Sequence, residues 1–151
     1  MVARSSHVLH HVVWDWNGTL LDDTELCLDI ANAFLKERSL AVLSREEYRE
    51  VFGFPVKDYY TGLGFDFSRE SYELLADRFI REYEQRRGDC ALQPGALSAL
   101  EAVRERGLTQ SILSAYPQKL LEEIISKHSL GPYFNFLTGP GDHYAAGKLE
   151  P

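Results

Sequence analysis

Asp15, Ser114 and the turn after Thr138 are the positions at which this sequence could do chemistry. Asp15 ends the apolar run Val12-Val13-Trp14 and is followed by Trp16-Asn17-Gly18-Thr19-Leu20. A carboxylate therefore emerges from a buried strand just where Gly18 permits a sharp change of direction. Ser114 closes the run Ser111-Ile112-Leu113, and Thr138 closes a third short strand-like run. In an open parallel sheet ligands gather at the carboxyl ends of the strands, so three segments distant in sequence converge on one edge. A carboxylate there can attack phosphorus as a nucleophile, splitting one hard displacement into two easier ones. It then needs a metal ion to offset its charge against the phosphate.

The elements that must position these groups follow from periodicity. Val8 to Trp14 reads as a buried strand. Asp22 stands three residues before Glu25, a capping-box spacing, and Leu26, Ile30, Ala33 and Phe34 follow at helical intervals, predicting a helix over 23–38. Ser44-Arg45-Glu46-Glu47 opens a second, short helix ended by Gly53, and Pro55 starts a third closed by Gly62 and Gly64. Ser68 is placed to cap a long amphipathic helix with Tyr72, Leu75, Ala76, Phe79, Ile80 and Tyr83 as its buried stripe. After Pro94-Gly95 a helix runs to Gly107, then come a strand over 108–113, a helical face of Leu120, Leu121, Ile124 and Ile125, and a strand over 133–138. Strand, helical block, helix, strand, helix, strand is the order of an α/β fold with a Rossmann-like parallel sheet. Residues 1–21 and 93–151 form the split core, and residues 22–92 form an inserted α-helical cap.

Composition narrows the partners. The chain has 151 residues, 44% of them hydrophobic, and 23 acidic against 16 basic residues leave a net charge of -7. That balance excludes a phosphate-tracking nucleic-acid surface, which needs clustered Lys and Arg. Cys27 and Cys90 lie far apart and read as buried small hydrophobes, not as a disulfide or zinc framework. The N-terminus has no signal-peptide or membrane-span pattern, so a cytoplasmic protein without membrane contact is expected. His10 and His11 fall in the first strand on opposite faces and read as structural; His128 and His143 stand alone.

Asp15-Trp16-Asn17-Gly18-Thr19-Leu20 resembles the first motif of haloacid dehalogenase-like hydrolases, Asp-x-Asp-Gly-Thr-Leu, with one substitution. Ser114 is similar to the hydroxyl residue of the second motif, Gly147-Lys148-Leu149-Glu150-Pro151 to the lysine of the third, and Gln93-Pro94-Gly95-Ala96-Leu97 to the return from cap to core. The resemblance extends over the whole chain and is nearest to phosphoglycolate phosphatase-type members with a helical cap. It implies a phosphatase of small phosphorylated metabolites working through an aspartyl-phosphate. Asp15 would be the nucleophile and, with the carbonyl of Asn17, a ligand of Mg2+. Ser114, Ala115 and the backbone N–H groups of Trp16 and Asn17 would cradle the phosphate, and Lys148 would neutralise charge on the nucleophile and the transferring group.

Two departures bear on turnover. Asn17 stands where the family has a second aspartate, which protonates the leaving group and then deprotonates the attacking water; an amide does neither. The expected loss is about 3–5 kcal/mol of transition-state stabilisation. The family's fourth motif, an acidic group that completes the magnesium site, would follow Lys148, and with it a further strand beside the first. Without that strand the C-terminal part of the core is missing and residues 8–15 form an open edge, inviting a homo-oligomer, or the sequence is a fragment. A fold that binds or assembles without turnover is thus the alternative. A second alternative is phosphonate cleavage with Lys36 or Lys57 as a Schiff base.

Overall fold

The structure is a computed structural model that describes residues 10–141. Along the chain come β1 (His11–Trp14), α1 (Thr24–Glu37), α2 (Arg45–Val51), α3 (Val56–Gly62), α4 (Tyr72–Arg86), α5 (Ala96–Glu105), β2 (Thr109–Leu113), α6 (Gln118–Lys127) and β3 (Phe136–Thr138). Asp23–Ala91 is one compact unit and holds α1 to α4; the segments up to Asp22 and from Leu92 form the other and hold the sheet with α5 and α6. No helix of the described residues is long and apolar enough to cross a membrane.

The sheet has the order β1-β2-β3 and is parallel throughout. Trp14 lies beside Ile112, and Leu113 beside Thr138. Side chains alternate across a strand, so Gln110 and Ile112 point to one face and are buried, while Val13, Leu113 and Phe136 occupy the other and are more than half exposed. α5 packs on β2 and α6 on β3. Gln110 has both ends of its amide used: Trp14 Nε1–H donates to its Oε1 at 2.9 Å and its Nε2 donates to the Leu100 carbonyl at 3.0 Å. A core amide satisfied in this way ties β1 and α5 to β2. On the opposite face the His11 ring bridges the hydroxyls of Thr109 (2.6 Å) and Ser111 (2.8 Å). His11 is thus structural; His10 precedes the strand and is exposed.

The third strand is shorter than expected. Gly131-Pro132-Tyr133 makes a 3-10 turn, because Pro132 has no N–H for a ladder, and pairing starts only at Phe136. Asn135 completes the join: its N–H donates to the Gln110 carbonyl at 2.7 Å, and its Oδ1 accepts from the Gln110 N–H at 3.1 Å.

In the helical unit Leu26, Ile30, Ala31, Phe34 and Leu35 give α1 its buried face. The expected Asp22–Glu25 box does not form. Asp23 occupies the cap position, and its carboxylate instead accepts a buried hydrogen bond from the Tyr83 hydroxyl at 2.7 Å. The Ser44–Glu47 capping box at α2 is present in both halves. α4 is capped by Ser71, not Ser68: the Leu74 N–H donates to Ser71 Oγ at 3.2 Å, whereas the N–H and hydroxyl of Ser68 close a local turn on Asp66. The buried stripe of α4 is also narrower than its spacing predicts. Leu75 and Tyr83 are buried, Tyr72, Ala76 and Phe79 half-buried, and Ile80 exposed. Arg78 donates to both Glu37 oxygens (2.6 and 2.5 Å) and to Glu82, so charge as well as apolar contact joins α4 to α1. Cys27 and Cys90 are half-buried thiols, not fully buried ones.

Candidate functional site

The parallel register brings the carboxyl ends of the strands together. Asp15 is the first residue past β1, Ser114 the first past β2 and Gly139 the first past β3. Neighbouring strands lie about 4.8 Å apart, and the Ser114 N–H donates to the Thr138 carbonyl at 2.9 Å. The edge read from the sequence thus has adjacent, hydrogen-bonded ends at β2 and β3, with β1 beside them.

Asp15 is exposed and held from both sides. Its Oδ1 accepts the Trp16 N–H at 2.7 Å, and its Oδ2 faces the Thr19 hydroxyl at 3.4 Å. The following loop hangs on one carbonyl: Trp16 O accepts the N–H groups of Thr19, Leu20 and Leu21 at 3.0–3.2 Å. Gly18 has φ 71°, a left-handed conformation that glycine adopts at no steric cost. Half-buried Asn17 forms a bridge with Leu21. Gln93 closes the loop from the returning chain, donating its N–H to the Leu20 carbonyl at 2.9 Å and its Nε2 to the Gly18 carbonyl at 3.4 Å. One expectation changes: the Trp16 N–H, assigned to a phosphate cradle, is donated to Asp15 itself.

Ser114 is buried, with only 7% of its surface exposed, and its Oγ accepts the Tyr116 N–H at 3.0 Å. A hydroxyl that accepts in this way keeps its proton to donate. Ala115 beside it is exposed. The turns after β2 and β3 are packed backbone to backbone: a Cβ on Gly139 would lie 2.2 Å from the Tyr116 carbonyl oxygen. Gln118 pins the same junction, donating Nε2 to the Leu137 carbonyl at 3.0 Å and accepting the Gly139 N–H at 2.7 Å. Thr19 and Gln118 had no assigned role from sequence, whereas Gln93 was placed only in the segment returning to the core and Gly139 only in the turn after Thr138. Thr19, inside the Asn-Gly-Thr-Leu run, carried a signal that could have found it; Gln118 carried none.

Lys148 lies outside the described residues. Lys36 and Lys57 are both exposed, and the Lys57 ammonium sits 6.0 and 5.8 Å from the ring centroids of Phe67 and Tyr72. A Schiff-base lysine is activated by desolvation or a neighbouring cation, so these exposed positions favour the surface-charge reading. The Asp15 carboxylate and the Asn17 carbonyl are hard oxygen donors of the kind magnesium takes, and that ion commonly uses one or two carboxylates and keeps several waters. Among the described residues no group of three His, Cys, Asp or Glu side chains could hold a metal. The residues present therefore fit magnesium as a partial site with one carboxylate.

Comparison with known proteins gives the family and the fold. The family described as haloacid dehalogenase-like hydrolase matches residues 12–147, and the chain belongs to that family. It is 26% identical over 144 residues to a phosphoglycolate phosphatase of Rhodobacter capsulatus, covering 93% of this chain and 65% of the relative. It is likewise 26% identical over 148 residues to an N-acetylmuramic acid 6-phosphate phosphatase of Pseudomonas putida, covering 95% of this chain and 65% of the relative. The chain thus spans just under two thirds of the length of these relatives. Among solved structures, Protein Tyrosine Kinase A of Mycobacterium tuberculosis superposes with a TM-score of 0.75 at 17% identity, over 92% of this chain and 63% of that one. At that identity the likeness carries the fold and no activity.

Proposed function

We propose that the protein is a phosphatase of small phosphorylated metabolites with Asp15 as its nucleophile. The observation that carries this reading is an exposed carboxylate at the end of β1, held by the Trp16 N–H beside the strand end that bears Ser114. The names of two relatives, phosphoglycolate phosphatase and N-acetylmuramic acid 6-phosphate phosphatase, support the substrate class. In the proposed sequence an Asp15 oxygen attacks phosphorus and the leaving oxygen departs with the bonding electrons. Water then attacks the aspartyl-phosphate, releasing phosphate and restoring Asp15. The Ser114 hydroxyl donates to a phosphate oxygen, the N–H groups of Asn17 and Ala115 complete the cradle, and Lys148 supplies positive charge. Magnesium, held by Asp15 and the Asn17 carbonyl, would offset charge on the phosphoryl group.

Asn17 can neither give a proton to the leaving oxygen nor take one from water, so acyl phosphates, whose leaving groups need no proton, are favoured over alkyl phosphates. The test is turnover of a panel of acyl, aryl and alkyl phosphates, with and without magnesium, for wild type and Asp15→Asn. Activity that depends on magnesium and is lost in the variant is expected; equal activity in both rejects the reading. The same asparagine favours a second reading, a fold that binds phosphate ligands or a partner without hydrolysis. Micromolar phosphate binding with no release of product above background would select it. Pairing of two copies along β1, which has β2 as its sole strand neighbour among the described residues, is proposed on the same footing.

A further inference from the structure

The Asp15 loop rests on one buried side chain. Trp16 is completely buried, its N–H holds the Asp15 carboxylate, and its carbonyl gathers three amides of the loop. Wherever the indole is seated, Asp15 is seated with it. The indole meets the ring of His128, at the C-cap of α6, in an edge-on contact with centroids 5.9 Å apart. The Trp16 Nε1 and the His128 Nε2 are both buried with no hydrogen-bond partner among the described residues. A leucine or phenylalanine at 128 would fill the space but leave the Trp16 Nε1 with no acceptor beside it, and such a buried unsatisfied atom costs about 1–3 kcal/mol. Indole N–H donates only, whereas the free nitrogen of a neutral imidazole accepts. The two atoms are thus a complementary donor and acceptor across the ring contact. Burial, helped by the charge of Lys127, pushes the His128 imidazole down toward its neutral, accepting form.

We propose that His128 is a positioning residue for Asp15, acting through the indole of Trp16. It rests on Asp15 being the nucleophile, and the experiment separates the two claims. His128→Leu fills the ring volume without a polar atom; His128→Gln returns a polar atom near the position of Nε2. Amide hydrogen exchange of the whole chain reads the grip on the loop, and hydrolysis of acetyl phosphate reads its consequence. In His128→Leu the amides of Thr19, Leu20 and Leu21 should exchange at least tenfold faster, while those of β2 and α5 keep their protection. In the same variant kcat should fall about ten- to hundredfold with KM unchanged, the effect expected of a misplaced reacting group. His128→Gln should restore both. Unchanged loop exchange in His128→Leu, unchanged kcat, or a failure of His128→Gln to restore either overturns the proposal. If wild type and Asp15→Asn hydrolyse acetyl phosphate equally, the nucleophile reading falls, and the exchange data alone decide whether His128 holds the loop.

Discussion

Under the proposed function, Asn17 is the residue on which turnover would depend most directly. In Asn17→Asp a carboxyl group regains the position from which a leaving oxygen could be protonated, and kcat for alkyl phosphates should rise about 100- to 10,000-fold, with a much smaller gain for acyl phosphates. Steady-state kinetics on matched substrates check this. Gly139 makes a different demand, since a methyl there meets the Tyr116 carbonyl oxygen at 2.2 Å. Gly139→Ala should cost about 1–3 kcal/mol in urea unfolding, as overpacking against backbone does, and weaken phosphate binding by shifting the turn that follows Ser114. Burial, reinforced by the negative charge of Asp23, pushes the Cys27 thiol up to about 12. A raised thiol pKa means the protonated, unreactive form prevails throughout neutral pH. In Cys90→Ser, modification by an alkylating reagent at pH 8 should therefore be far slower than for free cysteine, and faster as pH rises toward 12. At this scale Asp15 and Ser114 could be read from the sequence because each ends an apolar run. The contacts of Gln93, Gln118 and Gly139 could not, since their partners lie 21 to 75 positions away.

Among the elements, the cap of α2 was read correctly, that of α1 was misread because a distant group competes, and that of α4 was misread because Ser68 is engaged by neighbouring Asp66. Ser44 and Glu47 satisfy each other within one turn, so their spacing sufficed. Asp22 and Glu25 had the same spacing, but Asp23, joined to Tyr83 some sixty positions on, took the cap position. Replacing Tyr83 by Phe should leave that buried carboxylate short of a donor and destabilise the protein by about 1–3 kcal/mol, measured by urea unfolding. Ser71→Ala should cost about 1 kcal/mol as the loss of an N-cap, and Ser68→Ala clearly less, because Ser68 closes a turn and caps nothing. Gly131-Pro132 likewise shortened β3 in a way that its apolar content did not reveal.

For the molecule as a whole, binding to the folded state alone raises apparent stability. If Asp15 is a ligand, millimolar magnesium should raise the melting temperature of wild type and leave Asp15→Asn unmoved, as differential scanning calorimetry would show. With β2 as the sole strand neighbour of β1 among the described residues, the proposed pairing of two copies predicts concentration-dependent association, visible by sedimentation velocity. The parallel sense followed from alternation of strand and helix, which is a rule of chain connection, whereas the strand order β1-β2-β3 came from the structure. That Val13, Leu113 and Phe136 would form an exposed apolar face did not follow, because periodicity identifies a buried strand without saying on which side helices will lie.

By itself the sequence determined what is local: a carboxylate behind an apolar strand, a glycine at the turn after it, the helices with their own caps, and the family to which the opening motif points. Tertiary structure alone decided what is shared between distant segments. It set Gly139 against Tyr116, placed the His128 ring edge-on to the indole of Trp16 and gave the Asp23 carboxylate to Tyr83. The reason is physical: spacing along a chain fixes dihedral preference and facing, but a buried polar group is satisfied by whichever partner folding brings within about 3 Å.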